Sequence, residues 1–218
     1  MTSAAVEDYL KVIYKLSQAG GRVSTNAIAS RLRVAPASVT KMIKRMDAQG
    51  LVEHRPYTGV RLTPKGERAA LEVIRHHRLL ELYLTSKLGV PIEQAHAEAE
   101  QLEHVLSEVV EERIAASLGD PTTDPHGDPI PTREGRIRER RFPRLSEVTS
   151  GQACTVTRVR DSDTRVLERI VRLGLLPGTE VDVLGRESGG RIRVRLPSGD
   201  VARLARRIAE SIFVEVAR

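Results

Sequence analysis

Cysteine is almost missing from this chain: Cys154 stands alone among 218 residues, so no disulfide can close within it and a thiolate metal cage is excluded. Any metal site must be built from histidine and carboxylate. Long apolar runs are missing too, although apolar residues make up 40% of the chain and charged ones 29%. That excludes a membrane-spanning helix and a secretory hydrophobic segment, and the expectation is a cytoplasmic protein with no membrane partner. There is no HExxH, and Glu93-x-x-His96 is a lone Glu-x-x-His pair where a di-iron helical bundle needs two. A binuclear metalloenzyme therefore stands only as an alternative.

What is present is unevenly placed. The net charge of +6 conceals a basic N-terminal third: residues 1–62 carry ten Lys/Arg against four Asp/Glu, whereas residues 63–118 carry six against ten, together with four of the six histidines. A polyanion would be drawn to the first segment and a cation to the second.

The periodicity predicts mainly helix with small β parts. Val6, Tyr9, Leu10, Ile13 and Leu16 lie at helical spacing, with Gly20-Gly21 ending the segment. Ser24 is placed to N-cap a second helix carrying Ile28, Ala29 and Leu32, and after Val34-Ala35-Pro36 a third runs from about Ala37 to Ala48 with Val39, Ile43 and Met46 inward. Two short helices across a tight turn make a helix-turn-helix, and the strand-turn-strand pattern around Pro56-Tyr57-Thr58-Gly59 adds a wing. Thr63-Pro64 opens a long helix to about Lys87, and a single acidic helix is predicted from Ile92 to Leu118. A Pro/Gly/Asp-rich linker arm follows, reaching Pro143. Alternating β-branched residues in the last 75 positions predict a small antiparallel β-barrel. The expected domains are 1–62, 63–143 and 144–218.

On the acidic helix, a rotation of about 100° per residue puts His96, Glu100, Glu103 and His104 within one arc of roughly 100°. On the preceding helix His77 and Glu81 are i, i+4 neighbours, and on the first helix Asp8 points away from the apolar stripe. Three helices packed together could gather Asp8, Glu100, Glu103 and His104 in one place and His77, Glu81 and His96 in another. A polar stripe opposite an apolar one is also how a solvated helix face looks. Glu108, Glu111 and Glu112 are read that way, and His76 as a surface or interface histidine.

Several strings resemble the diphtheria toxin repressor family of metal-dependent regulators: EDYLKVIY, ASVTKMIKRMDAQGLV, HRLLE from His77, EHVLSE from Glu103, and DPHGDPIP from Asp124 to Pro131. The resemblance covers nearly the whole chain. It implies a winged helix-turn-helix, a helical metal-binding and dimerisation domain, and a Src-homology-like barrel of the ferrous-transport accessory type. It also implies a primary metal site at Asp8, Glu100, Glu103 and His104 and an ancillary site at His77, Glu81 and His96. Iron-responsive members resemble one another in having methionine at the place of Asp8 and cysteine at that of Glu100. Carboxylates there make a harder site, so Mn(II) is favoured, with Fe(II) or another divalent transition ion as the alternative. Manganese-type members often lack the third domain and carry glutamate where this chain has Lys11, so their two-ion arrangement is not implied. The family's barrel can lend further ligands; the nearby acids are Asp161 and Asp163, and Asp163 is kept as an additional ligand beside a core or turn role.

The resulting expectation is a homodimeric, metal-activated repressor of metal-homeostasis genes that binds double-stranded DNA at a palindromic operator. Pro36, Ala37, Ser38, Thr40 and Lys41 would face bases, and Lys44, Arg45, Arg55 and Tyr57 phosphates. Without an ion, several carboxylates at close quarters repel, which favours separation or protonation of the site. A winged-helix regulator that senses an organic ligand or a partner protein is the remaining rival.

Overall fold

Capping explains where the first helices begin. In the computed structural model, which describes residues 3–18, 20–138 and 140–217, the Ser24 hydroxyl accepts from the Ala27 amide at 3.1 Å, and that of Thr63 from the Gly66 amide at 3.1 Å. The element order is α1 (Ala4–Ser17), α2 (Thr25–Leu32), α3 (Pro36–Ala48), β1 (Val52–Arg55), β2 (Gly59–Leu62), α4 (Pro64–Leu88), α5 (Ile92–Leu102) and α6 (Glu108–Ser117). Then come β3 (Ala153–Val159), α7 (Thr164–Arg172), β4 (Glu180–Arg186), β5 (Ile192–Arg195), β6 (Val201–Leu204), α8 (Arg206–Ala209) and β7 (Ile212–Val216). The chain forms two compact units, one of Met1–Leu80, Glu100–Ser117 and Ile130–Ile137, the other of Glu81–Ala99, Leu118–Pro129 and Arg138–Arg218.

In the first unit α1 packs on α2 and β2, α2 on α3, and α3 on β1. Leu10 and Ile13 of α1, Ile28 of α2, Val39 and Ile43 of α3, Val60 of β2 and Leu71 of α4 share one buried core. Each large apolar side chain so enclosed contributes about 1.5–3 kcal/mol. Antiparallel β1 and β2 pair from Val52↔Leu62 to Arg55↔Gly59 and form the wing. At its tip the Thr58 amide donates to the Arg55 carbonyl at 3.1 Å, and Tyr57 takes φ +63° with its ring fully exposed. Part of the predicted linker belongs to this unit, since Ile137 packs on the same core.

The single helix expected over 92–118 is two. Helical structure stops at Leu102, residues 103–105 form a turn, and α6 restarts at Glu108, where the Ser107 carbonyl accepts from the Glu111 amide at 2.9 Å and its hydroxyl from the Val110 amide at 3.4 Å. A serine placed to cap competes with continuation of the helix. Glu103 and His104 therefore sit on a turn and not on a helical face.

The second unit has its own core, including Leu145, Val156, Leu167, Ile170, Val183, Val194 and Val214. Its five strands run antiparallel in the order β6-β5-β4-β3-β7, with register shifts at Val156/Arg158 and Val183/Gly185 that bend and twist the strands. The sequence patterning missed β6 and the amphipathic helix α7.

Close backbone approach fixes the start of α4: a Cβ added at Gly66 would lie 1.9 Å from the Leu51 carbonyl oxygen. Gly66→Ala should lower stability by about 1–3 kcal/mol, the usual range for overpacking, read as a drop in the thermal midpoint; an unchanged midpoint would show that α4 is not seated on the Leu51 backbone.

Candidate metal centre and nucleic-acid interface

Three chain segments deliver charge to one place in the first unit. Asp8, on the polar side of α1, lies with Glu103 and His104 so that one donor atom from each falls within 4.8 Å of the others. His104 stands between two α1 carboxylates: its Nε2 is 3.1 Å from Asp8 Oδ1 and its Nδ1 2.6 Å from Glu7 Oε2. Glu103 is 1% exposed, and its second oxygen, Oε2, lies 2.5 Å from His77 Nδ1. Lys11, 4% exposed, donates from Nζ to Glu100 Oε1 at 2.8 Å and to Glu103 Oε1. The lysine was no candidate in the sequence, yet it bridges two of the four expected ligands.

The charges perturb one another. Burial pushes the Asp8 carboxyl up, with Glu100 adding to the rise, and His104 and Lys11 only partly counter it. Burial works against the Lys11 ammonium, but Glu103 and Glu100 outweigh it and raise the lysine overall. The raised Asp8 carboxyl is in the direction that crowded carboxylates favour, and Lys11 neutralises part of the charge of Glu100 and Glu103 within the fold.

A second set of donors lies in the other unit. His96 Nδ1 is 3.0 Å from Glu81 Oε1 and 3.4 Å from Asp161 Oδ2. Glu81, Asp124 and His126, all buried, also bring donor atoms within 4.8 Å of one another, with His126 Nδ1 3.8 Å from Glu81 Oε2. Both ring nitrogens of His126 are buried without a hydrogen-bond partner, an arrangement that costs energy unless a ligand completes it. The loop is pre-shaped by Asp124, whose Oδ1 accepts from the amides of His126 and Asp128 at 2.9 Å each. Gly127, at φ +87°, allows close approach to β3, since a Cβ there would meet the Thr157 carbonyl oxygen at 2.0 Å.

One expectation for the ancillary site changes. Asp163 caps α7, accepting from the Arg165 and Val166 amides at 3.1 and 3.2 Å, and pairs with Arg207, so its oxygens are already committed. Within the second unit Glu81 and His96 meet Asp161, and within the first His77 pairs with Glu103. The DPHGDPIP string was noticed as a family signature, but its Asp124 and His126 were not read as donors; a histidine flanked by acids in a Gly/Pro turn was the available signal.

Two groups read as solvated are not. His76 is buried, its Nδ1 3.2 Å from the Glu103 carbonyl and its Nε2 3.2 Å from Glu111 Oε2, while Arg75 holds the other Glu111 oxygen at 2.5 Å.

Helix α3 and the wing present an exposed basic face. Pro36, Ala37, Ser38, Lys41, Lys44 and Arg45 are exposed on α3, as are Arg55 and Tyr57 on the wing. Thr40 is half-buried, and its hydroxyl donates to the Pro36 carbonyl at 3.1 Å, which leaves it as an acceptor. Among the described residues no carboxylate pairs with Lys41, Lys44, Arg45 or Arg55, so their charge is directed outward.

Comparison with known proteins agrees with this geometry. Residues 1–60 match the iron dependent repressor N-terminal DNA binding domain, residues 63–132 the iron dependent repressor metal binding and dimerisation domain, and residues 144–216 the FeoA domain. The chain is 33% identical over 221 residues to the iron-dependent repressor IdeR of Mycobacterium tuberculosis, covering 96% of each. The chain belongs to the diphtheria toxin repressor family. Among this family it is also 34% identical over 190 residues to the diphtheria toxin repressor of Corynebacterium diphtheriae, covering 86% of this chain and 80% of that one. A solved manganese-dependent transcriptional repressor in complex with manganese is similar with a TM-score of 0.88 at 36% identity, covering 97% of this chain and 100% of that one. The manganese regulator SloR is similar with a TM-score of 0.76 at 32% identity, covering all of both. The family consists of metal-dependent, DNA-binding transcriptional repressors and not of enzymes, which removes the metalloenzyme alternative.

A pH-dependent contribution follows from His76. Burial alone would depress its pKa from 6.5, but the hydrogen bond and charge of Glu111 raise it overall; burial would raise Glu111 from 4.5, but His76 and Arg75 lower it. The histidine's share of stability is therefore complete below about pH 6.5 and lost as pH rises through its raised value, while the glutamate's share is lost as pH falls below about 4.5. His76→Gln should cost about 1–3 kcal/mol at pH 5.5 and distinctly less at pH 8.5 in thermal or urea unfolding. Equal losses at both pH values would mean that the pair is not ionic.

Proposed function

We propose that this family member is a manganese-responsive repressor whose regulatory cation is held by Asp8, Glu100, Glu103 and His104, with a second cation held by Glu81, His96, Asp124, His126 and Asp161. The observation that carries this reading is the convergence of Asp8, Glu103 and His104 within 4.8 Å, with Glu103 buried. Both donor sets offer oxygen and imidazole only; Cys154 is buried in the core of the second unit and Met46 in that of the first, so soft donors are absent from both. Such sets suit Mn(II), with Fe(II) the competing ion. The solved relative with the manganese complex supports the same preference.

When bound, a divalent cation supplies two positive charges to a cluster of acids. The chain's own residues turn that into DNA affinity. Asp8 sits on α1, whose opposite face places Leu10 and Ile13 in the core that also holds Val39 and Ile43 of α3. The position of Asp8 relative to Glu103 and His104 therefore biases the seating of α3. Ser38, Thr40 and Lys41 are positioned to meet base edges, beside Pro36 and Ala37 for apolar contact, and Lys44, Arg45, Arg55 and Tyr57 to meet phosphates. A homodimer would present two such helices to a palindromic operator in the cytoplasm. Val105 and Val109, 77% and 69% exposed, and Val110 offer an apolar surface for the dimer contact.

A gel-shift titration tests the central part. Wild-type protein should lose operator binding in chelator and regain it with Mn(II). His104→Ala should need at least about tenfold more Mn(II), given that even lost outer-sphere partners of a metal cost about 10–100-fold. Asp8→Met should move the response toward Fe(II). DNA binding indifferent to chelator would contradict the proposal. Independently, Val109→Glu should shift the sedimenting species from dimer to monomer; an intact dimer would place the contact elsewhere.

A further inference from the structure

The most completely buried ammonium in the first unit has no place in the donor set, yet it touches two of its members. Lys11 is buried although it lies on α1 outside the apolar core, and its ammonium reaches Glu100 and Glu103. A lysine is rarely taken out of water unless its charge is answered, and here two carboxylates from the α5 end answer it. The interaction also joins α1 to that segment, beside the contacts of His104 with Glu7 and Asp8.

We propose that Lys11 is a built-in counter-cation that holds α1 against the Glu100–Glu103 segment in the metal-free protein and sets how much Mn(II) is needed for the switch. Lys11 is thus a positioning residue. The inference rests on the assignment of Asp8, Glu100, Glu103 and His104 as the regulatory donors. Three carboxylates and one ammonium leave a balance of two negative charges, matched by a single divalent ion. Remove the ammonium, and Glu100 and Glu103 face one another and Asp8 without the charge that lies between them. The metal-free fold then carries more repulsion, and a cation gains more by entering. Lys11 therefore weakens metal binding and lowers the cost of having no metal, so the interval between the two states narrows.

The experiment uses the full-length chain. Free Mn(II) is followed by its electron paramagnetic resonance signal during titration, and thermal melting is recorded in chelator and in saturating Mn(II). Lys11→Met is expected to bind Mn(II) at least about tenfold more tightly than wild type, because one positive charge has left a partly buried site. In chelator it should melt ~3–6 °C lower, and saturating Mn(II) should close that gap. Lys11→Arg, which keeps the charge, should remain near wild type in both measurements. Should Lys11→Met not fold in chelator but fold on adding Mn(II), the proposal stands; should it fold in neither, Lys11→Gln carries the same comparison. Wild-type or weaker Mn(II) affinity in the folded neutral variant overturns the proposal. A His104→Ala arm separates this failure from failure of the site assignment: if that variant retains full Mn(II) binding, the assignment itself is wrong, whatever Lys11 does.

Discussion

Like charges held close together inside a protein set the terms for the rest of this structure. Asp8 is far in sequence from Glu100 and Glu103, and with Glu103 buried and the other two half-buried their mutual repulsion is stronger than it would be in water. The fold brings them together nonetheless, with the Lys11 ammonium against Glu100 and Glu103 and the His104 ring against Asp8. That balance leaves a deficit of positive charge, and the deficit is what a divalent cation can fill. Because Asp8 and Lys11 both project from α1, the balance is read out by a helix whose other face is packed into the helix-turn-helix core. In the proposed reading, metal chemistry and DNA geometry share one helix, which is the minimum physical basis for coupling between two sites.

The second unit applies similar chemistry with a different support. Glu81, Asp124 and His126 are enclosed, and the loop carrying the last two is shaped by amide hydrogen bonds to Asp124 and by the missing side chain at Gly127. The Val159 amide donates to the His126 carbonyl at 2.8 Å, so the loop is stitched to the end of β3, two residues before Asp161. A metal there would join α4, the loop and β3 through their own side chains. The C-terminal domain in this reading is a source of ligands as well as a sheet with its own core.

Much of the fold was legible from periodicity and punctuation. Ser24, Thr63-Pro64, the Pro36 helix start and the turn at Pro56-Tyr57 are local signals, and each marks an element boundary within a residue or two. The break at residues 103–107 was not anticipated, because a helical wheel drawn across it still put Glu100, Glu103 and His104 on one face and so concealed the capping role of Ser107. Strand β6 and helix α7 escaped because short amphipathic segments of arginine and valine suit either conformation until tertiary packing decides. At the site, Asp8, Glu103 and His104 were visible as donor types at helical spacing. Lys11, His76, Glu111 and His126 were not, since nothing local to them declares burial; each is explained by a partner or a carbonyl tens of residues away.

The account is tested most directly by a crystal of the full chain soaked with Mn(II) and measured at the manganese absorption edge. An anomalous peak bonded to Asp8, Glu103 and His104 is the predicted result, with Lys11 still beside the glutamates. A manganese-loaded protein with no peak there, or with Asp8 turned away from Glu103 and His104, would contradict it.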